Sequence, residues 1–98
     1  MKEFVIQAKI IRYLKSQKIY AVKVINANRS GIPDLVCCLD GRFIAFEVKS
    51  DSGETSKLQD WNISQIKKSG GEAFPVRSLT EVKKIIENLK KEVTSENS

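Results

Sequence analysis

Apolar residues change their spacing several times along this chain, and each change marks an element. From Lys2 to Ser16, Phe4, Ala8 and Ile11, with Ile10 and Leu14 beside them, recur at helical spacing, while Lys9, Arg12 and Lys15 fall on the opposite side. From Ile19 to Ile25 β-branched and aromatic residues predict a strand. Residues 26–32 form a polar loop that includes Gly31. Two apolar runs follow, 34–39 and 42–49, joined by Asp40-Gly41. That dipeptide suits a type I′ turn, in which both central residues take positive φ, so the pair reads as a hairpin. Val36, Cys38, Phe43 and Ala45 lie on one of its faces; Leu35, Cys37, Leu39, Ile44, Phe46 and Val48 lie on the other. A sheet that is apolar on both faces needs cover on both.

Beyond a polar loop at 50–55, Ser56 and Gln59 make a capping box. The helix it opens carries Leu58, Trp61, Ile63 and Ile66 as its apolar side and ends at Gly70-Gly71. Ala73 to Arg77 is a short strand, and Pro75 places it at an edge or ends it early. Ser78 and Glu81 form a second capping box, opening a helix through Val82, Ile85, Ile86 and Leu89. After Glu92 the residues turn polar and are expected to fray. The predicted fold is α/β: one domain, a mixed central sheet flanked by helices on both faces, in the order α-β-β-β-α-β-α. Its expected extent is 1–93, with 94–98 as a polar C-terminal tail.

The chain has 98 residues, enough for one core and no second. Its formal charge of +5, from 17 Lys and Arg against 12 Asp and Glu, suits a polyanionic partner but does not require one. Cys37 and Cys38 are adjacent on a strand and point to opposite faces, a geometry that disfavours a bridge between them. The chain has no histidine, so a zinc site finds no support. Two buried, reduced thiols imply a reducing cytoplasm. The first helix is interrupted by Lys2, Glu3, Gln7, Lys9 and Arg12, so neither an export signal nor a membrane span is expected.

A two-residue turn at Asp40-Gly41 sets the hairpin register. Leu39 then faces Arg42, Cys37 faces Ile44, and Asp34 faces Glu47, with directly opposed Cβ atoms about 4.5–5.5 Å apart. Lys49 shares that face, two residues beyond Glu47. Opposed like charges destabilise a sheet unless something offsets them. Lys49 can do so alone at a solvent edge, or a cation can sit between the acids. Two carboxylates plus waters and phosphate oxygens is a ligand set that Mg²⁺ accepts.

Pro33-Asp34, followed by Glu47-Val48-Lys49, resembles the signature of the PD-(D/E)XK nuclease superfamily. More narrowly, Ser30-Gly-Ile-Pro-Asp-Leu35, Phe46-Glu-Val-Lys-Ser50 and Ser56-Lys-Leu-Gln59 resemble the virus-type replication-repair nuclease (VRR-NUC) domain, over nearly the whole chain. The resemblance implies a restriction-endonuclease-like core and a Mg²⁺ or Mn²⁺ ion held by Asp34, Glu47 and the backbone carbonyl of Val48. It implies that Lys49 is the catalytic lysine, Gln59 an auxiliary site residue, and Glu3 the first-helix acid that completes the site. Gln59 reads equally well as the third residue of a capping box, and Trp61 reads as core.

The expected function is a structure-selective DNA endonuclease acting as a homodimer on branched DNA, plausibly as a Holliday junction resolvase, with no small-molecule cofactor. Flaps, forks or ordinary duplex are alternative substrates on the same chemistry. A non-catalytic DNA-binding module is the alternative of a different class. The resemblance also points to a phage or other virus as source, and so to the host cytoplasm.

Overall fold

The computed structural model describes the backbone of residues 1–97 and the side chains of residues 1–92. Its elements are α1 (Glu3–Ser16), β1 (Tyr20–Lys23), β2 (Leu35–Leu39), β3 (Arg42–Val48), α2 (Lys57–Lys68), β4 (Glu72–Val76) and α3 (Leu79–Asn97). The strands form one sheet in the order β1-β2-β3-β4. The first three are antiparallel neighbours, and β4 joins β3 in parallel. This is the mixed α/β sheet that the sequence predicts.

Asp40 and Gly41 turn the chain at φ 52° and 81°. The register that follows pairs Leu39 with Arg42, Cys37 with Ile44 and Leu35 with Phe46. One face of the sheet carries the main core. Leu35, Cys37, Leu39, Ile44, Phe46 and Val48 pack there against Ile6, Ile10 and Leu14 of α1 and Val82, Ile86 and Leu89 of α3. The other face is thinner, with Ala45 and Ala73 under Ile63 and partly buried Ile66 of α2. Small residues on the strands let α2 lie close, and Gly71 helps, since a Cβ there would stand 3.0–3.1 Å from Ile66 and the Phe43 carbonyl. Pro75 sits in β4, an edge strand, where its missing N–H costs no ladder bond.

Several sequence expectations are corrected. β1 is shorter than 19–25, because its ladder with β2 stops at Lys23 opposite Leu35. Cys38 is exposed, and only Cys37 is buried; α2 lies over β3 and β4 and leaves that part of β2 open. The inward stripe of α1 is Ile6, Gln7, Ile10 and Leu14, whereas Phe4 is 60% exposed. On α2, Leu58 and Trp61 are both about half exposed, so Trp61 is not core, and Asn62 is buried instead. The backbone of α3 is helical to Asn97, past the expected fraying at Glu92. The side chains of the expected tail, 94–98, lie outside the described residues. Among the described residues no helix is long and apolar enough to cross a membrane.

Candidate active site

β2 stops one residue short of Asp34, and that stop creates the site. The hairpin register, continued by one residue beyond Leu35 and Phe46, brings Asp34 opposite Glu47. The N–H of Val48 finds no carbonyl across the hairpin and donates instead to Oδ2 of Asp34 at 2.8 Å. The carbonyl of Asp34 accepts the N–H of Val24 at 2.8 Å. The Asp34 carboxylate is thus fixed against the backbone of β3 by bonds that any drift in register would break.

Glu47 is 3% exposed. Its Oε1 accepts a hydrogen bond from Nε2 of Gln59 at 2.7 Å and lies 3.5 Å from Nζ of Lys49. Its Oε2 is buried and has no protein donor. Burial, and secondarily the negative charge of Asp34, push the Glu47 carboxyl up to about 7, with Lys49 pulling the other way. A buried acid facing a second acid, with one oxygen unsatisfied, is unfavourable as it stands.

Gln59 reconciles its two sequence readings. Ser56 Oγ accepts the Gln59 backbone N–H, Gln59 Oε1 accepts the Ser56 N–H, and the remaining amide N–H reaches Glu47. The capping box therefore locks the rotamer that holds Glu47. Lys49 has a side chain only 15% exposed, and the residue after it is clamped from both sides. The N–H of Ser50 donates to Oε2 of Glu3 at 3.1 Å, and its carbonyl accepts from the Arg77 guanidinium. Glu3 thus meets the turn after Lys49. Among the described residues, no three His, Cys, Asp or Glu side chains gather into a metal cage.

A hard cation would fit two carboxylates, one with a free buried oxygen, beside the backbone of Val48, because Mg²⁺ keeps several waters and takes few protein ligands. Sequence reasoning passed over Asn62 and Arg77. Asn62 donates to the carbonyls of Ser30 and Leu58, pinning the loop before Asp34 onto α2. Its signal was its position: Gln59, Asn62, Ile63 and Ile66 share one helical face. Arg77 left no comparable pattern.

No family model matches the sequence, and no curated protein matches it. Among solved structures, a "VRR_NUC domain" is 28% identical, with a TM-score of 0.75 over 87% of this chain and 94% of its own. A "VRR_NUC domain protein" shares the fold at 20% identity, with a TM-score of 0.76 over 89% of this chain and 86% of its own. Sheet order and these likenesses agree: the chain has the fold of the VRR_NUC domain structures and is similar to that domain over most of its length.

Proposed function

We propose that this chain is a metal-dependent, structure-selective DNA endonuclease whose catalytic domain spans 1–93. The observation that carries this reading is the buried Glu47 carboxylate opposite half-buried Asp34, with one Glu47 oxygen unpartnered and Lys49 beside it. Asp34, Glu47 and the Val48 carbonyl would hold Mg²⁺ or Mn²⁺, which supplies Lewis-acid polarisation of the scissile phosphate. Lys49 holds the attacking water and offsets negative charge that grows as the P–O bond to the leaving sugar oxygen breaks. Gln59 orients Glu47. Glu3 and Arg77 set the height of Lys49 by fixing Ser50.

A homodimer acting on branched DNA belongs to the same proposal. Tyr20, Cys38 and Phe43 stand in register across β1, β2 and β3, and Val22 lies on the same face. All four are exposed beside α2, an uncovered apolar area suited to a second copy. Two copies related by a two-fold axis present two centres to a substrate of matching symmetry, such as a four-way junction. Flaps and forks form a second reading, favoured by the groove described below.

Labelled four-way junctions, flaps, forks and linear duplex, incubated with Mg²⁺, Mn²⁺ or EDTA, test the proposal. Cutting is expected with either metal and not with EDTA, and branched DNA should be cut faster than duplex. Lys49→Ala and Asp34→Ala should abolish cutting and leave binding nearly intact. Variants that cut like the parent would overturn the site assignment; equal cutting of all substrates would overturn the structural selectivity.

A further inference from the structure

The core-facing stripe of α1 leaves Phe4 and Ala8 outside and Ile11 only partly buried, and these three do not lie on a bare surface. With Gln7, Arg12, Lys15 and Lys23 they line a groove of about 460 Å³ between α1 and β1. Three of its seven lining residues are cationic and none is acidic. Arg12, Lys15 and Lys23 are all exposed, and none forms an ion pair among the described residues. Phe4 presents its ring at 60% exposure.

Both walls of the groove begin at the catalytic centre. On α1, Phe4 follows Glu3, which holds Ser50 beside Lys49. On β1, Lys23 precedes Val24, whose N–H donates to the Asp34 carbonyl. From Glu3 to Lys15 the helix rises about 18 Å, room for roughly five stacked nucleotides at about 3.4 Å each. An aromatic and aliphatic floor with a basic rim is the combination that binds single strands: bases stack on the rings while cations follow the phosphates. A closed duplex offers phosphates but keeps its base faces stacked inside, so it would leave this floor unused.

Building on the nuclease reading, we infer that the groove between α1 and β1 binds an unpaired DNA strand leading to or from the scissile phosphate. Phe4, Ala8 and Ile11 receive the bases, and Arg12, Lys15 and Lys23 take the phosphates. The substrate class this selects is DNA with a single-stranded arm at the cut.

Fluorescence anisotropy with a labelled twelve-nucleotide oligo-dT and a blunt duplex of equal length, without divalent metal, tests this directly. The parent should bind the single strand more tightly than the duplex. Phe4→Ala should weaken single-strand binding by about fivefold to a hundredfold, the equivalent of losing one base stack. Replacing Arg12, Lys15 and Lys23 together by Gln should reduce the slope of log K against log salt by about 2 for single strands. Both changes lie on the surface, and thermal melts should match the parent. The inference is overturned if the variants bind like the parent, if the parent prefers duplex, or if Phe4→Ala alters only the oligomeric state. Because cutting is not measured, each of these results leaves the Asp34–Glu47–Lys49 assignment to its own test.

Discussion

Glu47 ties the chemistry of the site to the stability of the fold. Its carboxyl is raised from 4.5 to about 7, so the folded chain holds a proton there that the unfolded chain releases. The stability this proton confers is complete below about pH 4.5, declines as pH rises and is lost above about 7. Without divalent metal, the melting temperature should therefore fall as pH rises between those limits. Glu47→Gln should flatten that dependence and, above pH 7, raise the melting temperature by about 5 °C or more. Calorimetric scans of both proteins across pH 5–9 check this, and a parent profile that rises with pH contradicts it. A divalent cation competes with the same proton, so cutting by the parent should decline as pH falls below about 7. Rates measured from pH 5.5 to 8.5 at fixed Mg²⁺ report it, and a rate that is flat or rising toward acid would contradict the role given to Glu47.

At the scale of elements, the site depends on polar residues that occupy inward positions. Ser56 and Gln59 share a capping box, yet only Gln59 reaches Glu47. Ser56→Ala should cost about 1 kcal/mol of stability and leave most of the cutting rate, whereas Gln59→Ala should lose comparable stability and most of the activity. Denaturant titrations and single-turnover rates of the two variants separate capping from positioning. The loop before β2 is equally constrained. Gly31 has φ +82°, and a Cβ there would lie 2.7 Å from Cγ of Leu58 and 2.9 Å from Nδ2 of Asn62. Gly31→Ala should cost about 1–3 kcal/mol, through backbone strain and displacement of α2. The buried amides of Gln7 and Asn62 are also where sequence reasoning failed. The period of β2 and β3, with an Asp-Gly turn, made the hairpin and its register legible, because a one-residue slip would turn every side chain over. The inward faces of α1 and α2 were misread in part, since Gln7 and Asn62 look like surface residues, and Phe4, Leu58 and Trp61 look like core. On α2 this follows from the site: Gln59 faces in to hold Glu47 and Asn62 to hold the loop at Ser30, and Leu58 and Trp61 face out.

Taken whole, the molecule sets one thick core behind the sheet and a thin layer in front, and Asp34, Glu47 and Lys49, the proposed active site, lie at the strand ends. The rigid side fixes the register that brings Asp34 to Glu47, while the thin side leaves Tyr20, Val22, Cys38 and Phe43 exposed. If Tyr20 and Val22 form part of a two-fold interface, Tyr20→Glu combined with Val22→Glu should yield a monomer by sedimentation velocity where the parent sediments as a dimer. A parent that is monomeric at tens of micromolar would contradict the interface. Element order and register could be read from spacing alone. Which apolar residues are covered could not, because that depends on where α2 crosses the sheet. The most direct measurement of the central claim is calorimetric titration of Mn²⁺ into the parent, Asp34→Ala and Glu47→Gln at pH 8. The account predicts saturable Mn²⁺ binding in the parent that is abolished by either substitution; variants that bind Mn²⁺ as the parent does would contradict it.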